Sequence, residues 1–290
     1  MLRFCCININ IMLGIVDTGG GLRGAYGAGI LDYCLDRGIG ADYFIGVSAG
    51  SANGASFLGG QKGRNLRYYN EYAFRREYMS VRNLLRKGSY LDLDYVYGVT
   101  SNSDGEDPLN YKAILASPCR YEAVTTDAVS GAAVYFSKED MQQDDYTVLK
   151  CSSCLPAADK PVYFRGRYYY DGGLSDPIPW QRALDQGCDR LIIVLTRPKT
   201  EMRTSLRDRQ FSRLIPLKYA ASAEALRGRA ALYNRELCGA LELEEQGRAL
   251  ILSPADVSGM KTLTKDHAAI LRMYQEGYRA AEAVPAFIQK

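Results

Sequence analysis

Three short stretches of this chain hold residue types that do chemistry at telling spacings. In Gly46-Val47-Ser48-Ala49-Gly50 a serine stands in the pattern G-x-S-x-G, which marks a nucleophile raised on a sharp strand-to-helix turn. The glycines keep a crowded turn free of side chains, and a helix that follows aims the positive end of its dipole at the hydroxyl. Gly19-Gly20-Gly21-Leu22-Arg23-Gly24 fits G-x-G-x-x-G, a loop whose bare backbone N–H groups can approach an anion. A pyrophosphate and a tetrahedral oxyanion ask for the same donors. Asp171-Gly172-Gly173 follows the run Tyr168-Tyr169-Tyr170 and sets a carboxylate on a sharp turn at a strand end, where it can act in a cleft.

Each stretch also has a plainer reading. G-x-S-x-G alone can be a glycine-rich turn, D-G-G alone is most often a turn, and the first loop can serve helix–strand packing. The dinucleotide fingerprint further requires an acidic residue at the end of the second strand. Here that strand ends in Gly-Val-Ser-Ala-Gly, so a nucleotide-binding module is an incomplete match.

Elements must hold these groups. Residues 11–17 read as a buried strand. A helical pattern follows, with Ile30, Leu31, Cys34 and Leu35 on one face and Gly38 as its stop. Residues 42–47 read as a second strand and the small-residue run after Ser48 as a closely packed helix. Strand–helix–strand–helix is the unit of a parallel sheet covered on both faces. Residues 64–87 are basic, tyrosine-rich and helical in pattern, and 98–110 read as an exposed loop. Residues 121–137 read as two strands around Ser130-Gly131, 162–170 as a hairpin turning at Arg165-Gly166, and 190–196 as a buried strand. From about 200 the pattern is mostly helical, with one short strand at 249–253. The expected architecture is a three-layer α/β/α domain over residues 12–198 with a mostly parallel sheet, then a mainly helical extension over 199–290.

Composition narrows the classes. The chain has 290 residues, 47% hydrophobic and 24% charged, enough to bury a core without disulfides or metal. It excludes a disordered tail, a fibre and a small disulfide scaffold. Against 36 Lys and Arg stand 33 Asp and Glu, which argues against a nucleic-acid partner. The eight cysteines are scattered and read as reduced thiols of a cytosolic protein. Cys151-x-x-Cys154 lacks the further ligands that zinc requires and reads as core lining. No apolar run is long enough to span a bilayer, and the N-terminal stretch has no cleavage site of a signal peptide. Met12 is an alternative start, with residues 1–11 as an extension. The 64–87 segment can be read as a surface for anionic lipid head groups, hence peripheral membrane contact, but a solvated helix face is the favoured reading.

Together and in this order, the three stretches resemble the patatin-like phospholipase family. Ser152-Ser153-Cys154-Leu155-Pro156 and Asp176-Pro177-Ile178-Pro179 are similar to the segments that flank D-G-G in that family. The resemblance covers roughly residues 12–198, and the later part is similar to an extension of some bacterial members. It implies a lipid acyl hydrolase with a serine–aspartate dyad and no metal or organic cofactor. Ser48 is then the nucleophile and Asp171 its general base. Gly19, Gly20 and Gly21 are the oxyanion-hole donors, and Arg23 holds that loop or the negative charge nearby. Thr18 stands where many members have another glycine. A carboxylate is a weak base at neutral pH, so Asp171 is expected to be partly desolvated with a raised pKa. The rival enzyme is an α/β-hydrolase with a Ser48, Asp171 and His267 triad. Against it, the nucleophile follows only the second strand, and His267, the sole histidine, sits at a predicted helix start. A silent scaffold is the non-enzymatic alternative. Chain length, head group and oligomeric state are not legible.

Overall fold

The computed structural model describes residues 11–289 apart from 157 and 258. The expectations for residues 1–10, including Cys5 and Cys6, lie outside that range. In chain order the strands are β1 (Leu13–Asp17), β2 (Tyr43–Val47), β3 (Arg120–Asp127), β4 (Ala133–Ser137), β5 (Val162–Phe164), β6 (Arg167–Asp171), β7 (Arg190–Val194) and β8 (Ala249–Leu252). The α-helices are α1 (Ala25–Asp36), α2 (Ala49–Leu58), α3 (Arg64–Asn70), α4 (Val81–Lys87), α5 (Tyr111–Ala116), α6 (Thr147–Ser153), α7 (Trp180–Asp185), α8 (Leu206–Ser212), α9 (Ala220–Glu245), α10 (His267–Ala280) and α11 (Val284–Ile288). The strands form one sheet in the order β5-β6-β3-β2-β1-β7-β8, with β4 also paired to β3. From β3 to β8 every neighbouring pair on that path is parallel. The hairpin strands β4 and β6 run antiparallel to β3.

Strand alternation makes the layers. Ile15, Phe44, Tyr121, Ile192 and Val194 point into one core, which α1, α2 and α10 close with Ile30, Phe57 and Ile270. Val16, Ile45, Val124, Leu191 and Ile193 point into a second core, closed by Ala183 of α7 and Leu237 and Leu243 of α9. A strand buried on both faces reads as a continuous apolar run, as LIIV in β7 does. The three-layer α/β reading of the sequence thus holds. The segment after 199 joins the same layers. β8 pairs with β7 as the sheet's last strand, and α10 lies directly on α1. The two helix backbones meet at glycines from both sides: a Cβ on Gly29 would stand 2.0 Å from the Tyr274 carbonyl oxygen, and one on Gly277 2.0 Å from that of Tyr26.

Two local expectations need correction. The 64–87 stretch is two separate helices, α3 and α4, joined through a short 3-10 turn at Tyr72–Phe74. Three of its basic side chains are engaged by other parts of the molecule, while Arg76, Arg82, Arg86 and Lys87 stay exposed. Arg64 donates to the Asp107 carbonyl and to Ser56 and Ser101, Arg67 pairs with Asp107 at 2.8 Å and Arg75 with Glu106. Correspondingly, 98–110 is not merely an exposed loop, because Thr100, Ser101, Asp107 and Leu109 are buried. The ion pairs that bind one stretch to the other have a spacing no local periodicity reports.

Replacing Gly277 by Ala is expected to lower stability by about 1–3 kcal/mol, because the methyl forces the α1 and α10 backbones apart. Gly228, inside α9, has open space at the same position, and Gly228→Ala should be neutral or stabilise by up to about 1 kcal/mol. Urea denaturation of the two variants beside wild type checks both signs.

Candidate active site

The serine sits where β2 turns into α2. Ser48 has φ 57° and ψ −125°, a conformation costly for a residue with a side chain. The neighbours explain how it is held. A Cβ on Gly46 would lie 2.5 Å from the Ser51 nitrogen, and one on Gly50 2.2 Å from the Asp17 carbonyl oxygen. The Ser48 N–H donates to Ser152 Oγ at 2.9 Å, and that hydroxyl donates to the Val124 carbonyl at 2.7 Å. The Ser51 hydroxyl closes on the Ser48 carbonyl at 2.6 Å.

Asp171 ends β6, and β3 brings it to the serine. Val47, the residue before Ser48, is in register with Val124, and Asp171 is in register with Thr125, the next residue of β3. Ser48 and Asp171 consequently line one cleft of about 280 Å³. The carboxylate is buried. Its Oδ1 accepts the Gly173 N–H at 2.7 Å, while Oδ2 is buried with no hydrogen-bond partner of full geometry among the described residues. Burial pushes the Asp171 pKa up to about 6, and the neighbouring Ser48 hydroxyl is the largest influence in the opposite direction. The Ser48 hydroxyl thus neighbours the carboxylate without a hydrogen bond of full geometry.

The glycine loop follows β1. Gly19, Gly20 and Gly21 have φ of 60°, 124° and 61°, which only glycine adopts cheaply in succession. Thr18 is free of that requirement. Its backbone is not left-handed, and its hydroxyl donates to the Val194 carbonyl at 3.0 Å. The expectation of three oxyanion donors is corrected at Gly19, whose N–H is turned inward to Asp17 Oδ1 at 2.9 Å. The N–H groups of Gly20 and Gly21 have no acceptor among the described residues and border the cleft. Arg23 is buried and donates from Nε to the Thr196 carbonyl at 3.1 Å, and the Thr196 hydroxyl donates to the Gly19 carbonyl. Arg23 thus ties the loop to the end of β7.

Several supporting residues carry no motif. Asp17 accepts from Asn53 Nδ2 at 2.9 Å as well as from Gly19, and burial lifts its pKa to about 6. Tyr69 donates to Asn53 at 2.8 Å. Thr262 accepts the Leu22 N–H at 2.8 Å. The only signal for Asp17 and Thr196 was their place at the carboxyl ends of neighbouring parallel strands, where such sheets build their sites. A second, apolar cavity of about 60 Å³ opens from Ser48 between Ala52, Tyr69, Met79, Val96 and Tyr97.

The residues of the rival readings sit elsewhere. His267 starts α10 on the exposed surface, its ring stacked 3.6 Å from that of Phe74 and its Nδ1 3.1 Å from Asn70 Oδ1. It borders neither cavity. Cys151 and Cys154 are buried, which pushes both thiols up, Cys151 to about 12, away from the thiolate that redox or metal chemistry needs. Cys154 instead accepts the Asp171 N–H at its carbonyl, 2.8 Å away, and both cysteines lie buried in the core as expected.

Comparison with known proteins gives a consistent picture. A family model described as patatin-like phospholipase matches residues 16–184, and one described as a domain of unknown function, DUF6363, matches 219–287. The Escherichia coli K12 protein YjjU is 28% identical over 201 residues, 64% of this chain and 52% of its own length. The Mycobacterium bovis NTE family protein Mb1092c is 28% identical over 182 residues, 60% and 46% of the two chains. The chain spans about half the length of these relatives. The crystal structure of VipD from Legionella pneumophila aligns over 94% of this chain and 66% of that one, at 13% identity and a TM-score of 0.48.

The raised pKa of Asp171 has a thermodynamic sign. Its folded value lies above the ordinary 3.8, so ionisation is harder in the folded state, and the group costs stability as pH rises through about 6. Asparagine keeps an acceptor for Gly173 and never ionises. Asp171→Asn should therefore be more stable than wild type at pH 8 by about 1–3 kcal/mol, with the gain vanishing toward pH 4. Chemical denaturation at the two pH values reads the difference.

Proposed function

Because this chain belongs to the patatin-like phospholipase family, whose model matches more than half of it, we propose that it hydrolyses carboxylic esters of lipids through a Ser48–Asp171 dyad. The observation that carries the reading is the pairing of a left-handed serine on a strand–helix turn with a buried aspartate that keeps one oxygen unsatisfied in the same cleft. An unsatisfied buried carboxylate oxygen costs about 1–3 kcal/mol or more, and such a cost is commonly kept where chemistry uses the group.

In this mechanism Ser48 Oγ attacks the ester carbonyl carbon as Asp171 Oδ2 takes its proton. Negative charge gathers on the former carbonyl oxygen, where the Gly20 and Gly21 N–H groups meet it. The carbon–oxygen bond to the alcohol breaks, the proton on Asp171 passes to the leaving alkoxide, and Ser48 is left acylated. Water then enters, Asp171 takes its proton, and the acid leaves as Ser48 is reprotonated. The apolar cavity beside Ala52, Met79 and Val96 suits the acyl chain. A base held near pKa 6 is mostly ionised at neutral pH yet strong enough to accept the serine proton in the transition state.

The test is release of p-nitrophenol from acyl esters across pH. Ser48→Ala and Asp171→Asn should each lower kcat by at least about a thousandfold, and His267→Ala should stay within about twofold of wild type. The wild-type rate should fall about tenfold per pH unit below an apparent pKa near 6. Activity that survives in Asp171→Asn but is lost in His267→Ala would overturn the dyad in favour of a triad.

A further inference from the structure

The catalytic cleft holds more positive charge than the dyad chemistry uses. Among the described residues, its charged lining besides Asp171 is four guanidinium groups: Arg23, Arg197, Arg203 and Arg229. Only Arg23 lies in the matched 16–184 segment. Arg197 follows β7, Arg203 precedes α8, and Arg229 stands on α9.

Their partners do not balance them. Arg229 has a carboxylate, Asp208 of α8, with Nε to Oδ2 at 3.0 Å. Arg23 spends Nε on the Thr196 carbonyl. Arg203 has no carboxylate partner among the described residues; its guanidinium lies over the Tyr233 ring, 5.1 Å from the centroid. Arg197 Nε is buried with no partner among the described residues. Gathering like charges in a partly dry cleft is costly, and the cost registers on the groups. Burial and then the neighbouring arginines pull Arg23 down to about 9, and burial with Arg229 pulls Arg203 down to about 10. The arrangement is nevertheless fixed. The Arg203 N–H donates to Asn234 Oδ1 at 2.7 Å, and Asn234 returns a bond to the Arg203 carbonyl at 3.0 Å. This clip fastens an otherwise irregular segment to α9 with Arg203 at the cleft.

We propose that Arg197, Arg203 and Arg229, with Arg23, form an anion-binding subsite beside Ser48, and that the chain beyond β7 thereby recognises a phosphate group on the ester substrate. This rests on the hydrolase reading and adds to it a set of specificity-determining arginines, most of them outside the 16–184 match. A single carboxylate is satisfied by one bidentate guanidinium. Several guanidiniums reaching one cleft from three elements fit the three or more oxygens of a phosphate. The acyl chain then enters the apolar cavity on one side of Ser48 while the phosphate occupies the arginine side, which aligns the ester carbonyl between them.

Arg203→Gln is the informative variant, because no ion pair is broken and no buried carboxylate is stranded; Arg203→Lys restores charge. Two readouts are needed. The first is kcat/KM for a monoacylglycerol phosphate and for the matching monoacylglycerol. Their ratio should favour the phosphate in wild type and fall about 10–100-fold in Arg203→Gln, mainly through KM, with Arg203→Lys recovering part of the loss. A ratio that moves less than threefold overturns the proposal. The second is calorimetric binding of dodecyl phosphate and of inorganic phosphate, which needs no turnover. Dodecyl phosphate should bind wild type at least tenfold more tightly than it binds Arg203→Gln. Equal binding to the two proteins overturns the subsite. Inorganic phosphate binding as tightly as dodecyl phosphate overturns its assignment to the ester substrate. If neither ester is cleaved while dodecyl phosphate binds in an Arg203-dependent way, the subsite stands and the hydrolase reading fails.

Discussion

The candidate site depends on the register of β3. Two strands that never pair with each other, β2 and β6, end against consecutive residues of this third strand, Val124 and Thr125. The Val124 carbonyl is where the arrangement converges. It accepts the Ser152 hydroxyl that in turn accepts the Ser48 N–H, and it lies 2.3 Å from where a Cβ of Gly172 would stand. A slip of one residue would send alternate side chains to the opposite face and part the serine from the aspartate. That register is pinned by burial, since β3 carries Tyr121 and Ala123 into one core and Val124 into the other.

Two buried aspartates in the same region show how hydrogen bonding, more than burial, divides their roles. Asp17 and Asp171 are both lifted to about 6 by desolvation. Asp17 engages both oxygens, one with Gly19 and one with Asn53, and so acts as a bracket that joins the glycine loop to α2. Asp171 engages one oxygen with Gly173 and leaves the other without a full hydrogen bond. A satisfied carboxylate rigidifies its surroundings, whereas an unsatisfied one has an acceptor free for a proton. The bracket at Asp17 consumes the Gly19 N–H, which leaves the two following glycines as the loop's free donors.

Much of this was legible in the sequence because the signals are local. Strands buried on both faces, glycines at sharp turns and the order of the three motifs are read within a few residues of one another, and β1, β2, β3, β4, β6 and β7 lie where the apolar runs put them. The turn at Arg165-Gly166 was legible from Gly166, which is left-handed at φ 83°, whereas residue type does not account for Arg165 at φ 46°. What was not legible is what only tertiary proximity creates. Nothing near Arg64 in the chain announces the Asp107 carbonyl, so the withdrawal of Arg64 from the basic face of 64–87 was not readable. Nothing near Gly19 distinguishes its N–H from those of Gly20 and Gly21, because the difference lies in the direction of the Asp17 carboxylate.

The same distinction bears on the chain after the family match. Read locally, residues beyond 199 are helices with one short strand. Their contacts are nonlocal and lead to the cleft. Thr262 takes the Leu22 N–H and packs against Gly21, α10 covers α1 through paired glycines, and α9 supplies Arg229 and Tyr233 to the cleft wall. Even Thr196, which holds Gly19 and accepts from Arg23, lies past residue 184, where the match stops. The glycine loop takes three successive positive-φ residues, a conformation that glycine's backbone freedom makes one of many unless the surroundings determine it. Part of that determination comes from the later segment, through Thr196 on Gly19 and Thr262 on Gly21 and Leu22.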